Sequence, residues 1–205
     1  MTIFYELFDS LYVNITNRCP CHCDFCIRSH SDHIKESGSM WLTEEPTLKE
    51  ICEDFNRWKN KPDFSKFRSI VFCGYGEPLE RIDDVTEICR YLKKHTSLPI
   101  RINTNGLSDL IHQRPTAQQL QGLVDTVSIS LNAPNAEAYD RLCHPVFGLK
   151  AFPAILDFAV SCKEYVPHVM FTVVDTIGEQ AIEECREIAS SLGIGYRVRS
   201  YIDQY

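Results

Sequence analysis

LYVNITNRCPCHCDFCIRSH, residues 11–30, runs a β-branched, strand-like segment straight into four cysteines within eight positions, Cys19 to Cys26. Three chemistries concentrate sulfur in this way: a disulfide knot, a zinc clamp or an iron–sulfur cluster. A bridge between such near neighbours would close a tiny loop and gain little chain entropy. Disulfide scaffolds also belong to short secreted chains, and this chain has 205 residues. The disulfide reading therefore fails. The other six cysteines, Cys52, Cys73, Cys89, Cys143, Cys162 and Cys185, lie scattered, mostly in apolar patterns. Cys52, Cys89 and Cys185 read as small core hydrophobes on helices.

Outward from this stretch, strand-like and helix-like segments alternate. The strands are expected at LYVNI (11–15), SIVFCG (69–74), PIRINT (99–104), TVSISL (126–131), HVMFTVV (168–174) and GYRVRSY (195–201). Leu48, Ile51, Cys52, Phe55 and Trp58 recur at helical spacing after Pro46, a residue suited to a first helical turn. Leu79, Ile82, Val85, Ile88, Cys89 and Leu92 form a second stripe. Ile182, Cys185, Ile188, Ala189 and Leu192 form a third, stopped by Gly193 as the residue past the helix end. Further helices are expected over 116–123, 135–143 and 151–164. Helical crossovers impose parallel pairing. A closed eight-fold barrel takes about 250 residues, so six βα units point to an open doubly wound sheet or an incomplete barrel. Both place functional groups at the carboxyl ends of the strands.

The length suits one domain, 1–205, and no apolar run approaches the roughly 20 residues of a bilayer span. The N-terminal stretch lacks a basic region and carries Glu6 and Asp9, which speaks against a signal peptide, so a cytoplasmic location and no membrane partner are expected. A net charge of −7 disfavours a large phosphate-tracking surface, hence nucleic acid as a partner.

The polar motifs fall on one edge. The cysteines follow the first expected strand, CGYGEP (73–78) the second, NTNG (103–106) the third, and SISLNAP (128–134) closes the fourth. Cys19, Cys23 and Cys26 stand at C-x3-C-x2-C, on a loop able to wrap one compact metal centre. Thiolates select zinc or iron–sulfur clusters. A structural zinc site wants four closed ligands, and only Cys21 or His22 is near enough in sequence to complete one. Three thiolates on a cubane instead leave one iron open to a ligand.

These motifs resemble the radical S-adenosylmethionine (SAM) superfamily: C-x3-C-x-F-C after a first strand, GYGEP after a second, SLN at a fourth. More narrowly, NITNRC…CDFCIR, RINTNG, SISLNAP and LCHPVFG look like the small radical SAM proteins associated with TatD-type DNases. The resemblance implies a single-domain α/β fold, a six-stranded parallel (β/α)6 partial TIM barrel. It implies a [4Fe–4S] cluster on Cys19, Cys23 and Cys26, with SAM chelating the fourth iron and reductively cleaved to a 5′-deoxyadenosyl radical that abstracts hydrogen from substrate.

The same resemblance distributes the cofactor contacts. Phe25 would pack beside the adenine, and Gly74 and Gly76 would let the backbone approach the methionine moiety. Backbone groups of Gly76 and Glu77 would meet the SAM ammonium. Asn103 and Ser130 would contact SAM's polar groups, joined by Asn132 through strand alternation. Arg199 would pair with a carboxylate of SAM or substrate. Cys21 is outside the pattern and is expected to be no ligand. His144 could reach substrate from a loop, and Asn105 and Gly106 shape a turn. The implied partners are an electron donor such as a flavodoxin or ferredoxin, and a TatD-type DNase. Activators of glycyl-radical enzymes and carboxy-deazaguanine synthases are the rival members of the class, the latter with a longer first cysteine spacing. From another class stands a zinc-stabilised α/β binding module. The substrate expected is macromolecular or partner-supplied, over a mouth either open or covered by short loops such as 27–43.

Overall fold

The computed structural model describes residues 2–201. Its centre is a seven-stranded sheet, β1 (Phe4–Leu7), β2 (Ser10–Val13), β3 (Ser69–Phe72), β4 (Ile100–Thr104), β5 (Thr126–Ser130), β6 (His168–Val174) and β7 (Gly195–Arg199). Each strand lies beside its sequence neighbour, in the order β1-β2-β3-β4-β5-β6-β7. A doubly wound sheet reverses direction at a switch point. This sheet never reverses, so the progression is that of a barrel segment.

All six expected strands are present, but the count is seven. The extra strand, FYEL, pairs antiparallel with β2 through the register Phe4↔Val13 and Leu7↔Ser10. Its turn, Phe8–Asp9, carries none of the Gly or Asn signals of tight hairpins. Phe8 instead sits at φ 56°, a region bulky residues rarely enter. Strands β2 to β7 pair in parallel throughout.

The helices are α1 (Leu48–Lys59), α2 (Ile82–His95), α3 (Ser108–His112), α4 (Ala136–Cys143), α5 (Ala151–Tyr165) and α6 (Glu179–Ser191). Thr47 and Glu50 form a reciprocal capping box on α1, worth about 1 kcal/mol. Past α6, Gly193 at φ 61° donates to the Ser190 carbonyl at 3.0 Å, and Ile194 donates to that of Ala189 at 2.9 Å. That is the glycine-terminated helix end read from the sequence. The segment expected to be helical over 116–123 forms only a 3-10 turn, Ala117–Leu120, while the short α3 was not foreseen.

Strand alternation separates two faces. Outward residues such as Ile70, Phe72, Ile102, Val127, Ile129 and Phe171 are fully buried under the helices. Cys89, Cys162 and Cys185 are buried in that layer as plain hydrophobes, whereas Cys52 is only half-buried. The inward face carries Cys73, Arg101, Asn103, Ser130, Arg197 and Arg199, which is why these parallel strands do not read as continuous apolar runs. Over β1–β3 the inner face is covered by part of loop 27–43, whose Ile34 and Met40 pack with Tyr5, Tyr12 and Tyr75. Among the described residues no single helix is long and apolar enough to cross a membrane.

Candidate active site

A cavity of about 770 Å³ opens along the inner face and reaches the carboxyl ends of the strands. Cys19, Cys21, Cys23 and Cys26 line one wall, with Phe25 between them. Their loop is pinned to the end of α4, where helix carbonyls lack intrahelical partners. His22 N donates to the Cys143 carbonyl at 3.0 Å, Asp24 N to that of Leu142 at 3.1 Å, and Val146 N to that of Pro20 at 2.9 Å. Arg28 adds a stitch, donating from Nη2 to the Cys21 carbonyl at 2.9 Å.

Within the loop the fourth cysteine is set apart. Cys21 is buried, with its thiol 3.8 Å from the Tyr139 hydroxyl. Hydrogen bonding to Cys21 and burial together raise the Cys19 thiol far above its ordinary pKa, and Cys143 and burial do the same for Cys23. Thiolates here therefore require a strong positive centre, and binding one would release protons. His22 is exposed, with Nδ1 3.5 Å from the Arg28 guanidinium. Among the described residues no group of three or more His, Cys, Asp or Glu side chains is arranged to hold a single ion.

The GYGEP turn packs tightly against the segment that leads into the cysteines. A Cβ on Gly74 would lie 2.1 Å from Asn14 Oδ1, and one on Gly76 would lie 2.3 Å from the Thr16 carbonyl oxygen. The two glycines admit the close approach of residues 14–18, and both border the cavity. Glu77 N donates to the Arg18 carbonyl at 2.7 Å, and its carbonyl accepts from Glu80 N at 3.1 Å. Both backbone groups of Glu77 thus have a partner, and its carbonyl keeps a second lone pair. The Glu77 carboxylate is buried and accepts from Thr104 Oγ1 at 2.7 Å, Asn105 N at 2.7 Å and Leu79 N at 3.0 Å. Burial pushes its pKa up to about 7.

Asn103, Ser130, Asn132 and Arg199 all line the same cavity as the cysteines. Asn132 arrives there differently from what alternation predicted. Strand β5 stops at Ser130, and Asn132 sits at φ 58°, with Nδ2 3.8 Å from the Cys143 thiol. The buried Oδ1 atoms of Asn103 and Asn132 have no hydrogen-bond partner, nor does Arg101 Nε. Such orphans are rare in folded proteins, and each calls for a partner such as water, an ion or a polar ligand. Three thiols on a pinned loop facing unpaired polar groups fit a thiolate-held cluster and a polar cofactor. His144 does not face the cavity: it ends α4 at φ 44°, with Nε2 2.8 Å from Asp24 Oδ1. Asn105 shapes its turn as expected, with Oδ1 accepting from Leu107 N at 2.9 Å, yet Nδ2 also lies 4.0 Å from the thiols of Cys19 and Cys21. Sequence reasoning also passed over Tyr139, Arg101 and Arg197, all on the cavity wall. Strand alternation from Asn103 and Arg199 would have found the two arginines.

A barrel segment with a three-thiol loop at its mouth defines a cofactor-dependent enzyme core. The chain belongs to the radical SAM superfamily, whose family model matches residues 13–191. Members use a [4Fe–4S] cluster and SAM, and these are this enzyme's cofactors. Among curated relatives, the probable dual-specificity RNA methyltransferase RlmN 1 of Protochlamydia amoebophila (strain UWE25) is 31% identical over 184 residues, which is 85% of this chain and 47% of that protein. The chain thus spans about half the length of the curated relatives it matches. Among solved structures, Streptococcus suis SuiB bound to precursor peptide SuiA superposes with a TM-score of 0.68 at 16% identity, covering 98% of this chain and 41% of SuiB. A radical SAM methyltransferase from Sphaerobacter thermophilus gives 0.58 at 18%, covering 96% and 68%. At such identities the structural likeness concerns the fold alone.

Proposed function

We propose that this chain performs hydrogen abstraction on a substrate held in the cavity, with Cys19, Cys23 and Cys26 as the cluster ligands. The carrying observation is that these three thiols and the strand-end groups Asn103, Ser130 and Asn132 share one cavity. When bound, the cluster and SAM supply reductive cleavage of the sulfonium to methionine and a 5′-deoxyadenosyl radical.

The chain's own residues orient and enclose. The α4 carbonyls and Arg28 hold the cysteine loop in place. Asn103 and Asn132 offer unpaired amide oxygens, acceptors suited to an ammonium or ribose hydroxyl. Phe25 gives an apolar surface for the adenine, and Gly76 the backbone beside the ammonium. Tyr75 and Met40 close the wall beneath β1–β3 against water. An electron donor such as a flavodoxin or ferredoxin supplies the reducing equivalent. The NITNRC, GYGEP, SISLNAP and LCHPVFG segments support placement among the TatD-associated radical SAM proteins, with a TatD-type DNase as partner.

The test is to reconstitute the protein anaerobically, reduce it with dithionite in the presence of SAM, and measure 5′-deoxyadenosine. Its formation is the expected result, and its absence after full iron loading refutes the reading. The curated relatives motivate a second reading, methyl transfer to RNA. Incorporation of labelled methyl from SAM into RNA would favour it.

A further inference from the structure

Three arginines stand on the inner face of the sheet: Arg101 on β4, and Arg197 and Arg199 on β7. Arg197 and Arg199 alternate inward together, in register with Thr172 and Val174 of β6. Among the described residues none of the three forms an ion pair. Scarcity of acid does not explain this in a chain of net charge −7. Elsewhere Arg18, Arg57, Arg81, Arg90, Arg114 and Arg186 each pair with a carboxylate, while among the described residues Arg28, Arg68 and Arg141 form no ion pair either.

Among the described residues the cavity wall offers the arginines two carboxylates. Glu77 already accepts from three donors, Leu79 N, Thr104 Oγ1 and Asn105 N. Asp9 sits at the β1–β2 turn, where it accepts from Ser10 Oγ at 3.1 Å. Arg101 donates from Nη2 to the Tyr12 hydroxyl at 3.3 Å, while its buried Nε has no partner. Arg101 and Arg199 both lie within electrostatic reach of the Cys73 thiol on the neighbouring inner face. Arg101, Arg197 and Arg199 border one cavity, Arg197 and Arg199 from the exposed edge strand, and the guanidinium fork matches the oxygens of a carboxylate or phosphate.

We infer that Arg101, Arg197 and Arg199 form an oxyanion site that anchors a small, acidic substrate by its carboxylate or phosphate group. The inference rests on reading this cavity as the substrate chamber, and it gives that substrate a chemical class. A volume of about 770 Å³ falls in the range of small-molecule sites.

The experiment titrates inorganic phosphate, and separately succinate, into the anaerobically reconstituted holoenzyme by calorimetry, with chloride holding ionic strength constant. Wild type is expected to bind at least one of the two, and which one distinguishes phosphate from carboxylate. Arg101→Met and Arg199→Met are each expected to weaken that binding about tenfold, the loss of one charge-assisted contact. Arg101→Lys should restore part of it. Arg199 lies on an exposed edge strand, so its variant remains informative should Arg101→Met fail to fold. The inference is overturned if wild type binds neither anion, if the folded methionine variants bind as wild type does, or if saturating SAM displaces the anion. The last outcome would assign the arginines to the cofactor's own carboxylate. Failure to form 5′-deoxyadenosine would sink the proposed reaction and leave the anion titration standing. Absence of anion binding by wild type, with its SAM cleavage intact, would sink this inference alone.

Discussion

Thr104 Oγ1 donates to the Glu77 carboxylate at 2.7 Å, joining the end of β4 to the turn after β3 inside the core. The carboxylate also accepts the backbone amides of Asn105 and Leu79, so one side chain fixes two of the strand ends that border the cavity. An amide in its place would present N–H to at least one of these donors. Glu77→Gln is therefore expected to lower stability by roughly 1–3 kcal/mol, read by urea denaturation.

The same residue sets a pH dependence. Its folded pKa, about 7, stands above the ordinary 4.5 because burial outweighs the donated hydrogen bonds. The folded state then holds the proton more tightly than the unfolded chain does. The associated stability is fully present below about 4.5 and is lost as pH rises through about 7. Denaturation midpoints measured across that window should fall with pH more steeply for wild type than for Glu77→Gln.

Gly76 carries a different constraint, since a Cβ there would meet the backbone oxygens of Thr16 at 2.3 Å and Arg18 at 2.6 Å. Backbone cannot rotate away as a side chain can. Gly76→Ala is expected to cost roughly 1–3 kcal/mol or more and to weaken SAM binding by displacing the turn. Gly122→Ala is the control: nothing lies within 4 Å of its Cβ, and only its φ of 70° opposes the change. Thermal unfolding and SAM titration of both variants decide the point.

His144, which the sequence places in a loop able to reach substrate, terminates α4 in the left-handed region beside Asp24. Both partners of that contact are largely exposed, so the pair adds little. Glycine adopts this backbone without strain. His144→Gly is expected to leave 5′-deoxyadenosine formation intact and to stabilise the protein by about 0.5–1 kcal/mol, measured by thermal unfolding.

These cases show what the sequence made legible. The strand periodicities, the capped stripes of α1 and α6, and the motifs at successive strand ends all express local rules, and the sheet contains every strand they implied. The doubly wound alternative could not be dismissed from periodicity, because both architectures share the same βα units; only the unreversed strand order separates them. Hairpin strand β1 was hidden by a turn built on Phe8. Asn132 escaped correct description because its backbone leaves the strand before it reaches the cavity. The contacts of Glu77, Cys21 and Gly76 are long-range, joining segments whose proximity no spacing encodes.

Cys21 tests the assignment of the thiols most directly. It sits between Cys19 and Cys23 and borders the cavity, yet its thiol is held against Tyr139 and buried. If three thiolates suffice for the cluster, Cys21→Ala removes only a buried sulfur and its weak hydrogen bonds, at about 1 kcal/mol or somewhat more. Iron and acid-labile sulfide should then stay at wild-type levels after anaerobic reconstitution. Each of Cys19→Ala, Cys23→Ala and Cys26→Ala should lose most of both, along with the brown visible absorption. Iron retention in Cys23→Ala that disappears in the Cys21→Ala/Cys23→Ala double variant would mean that Cys21 can replace its neighbour. Loss of iron from Cys21→Ala alone would make it a ligand and overturn the three-cysteine assignment.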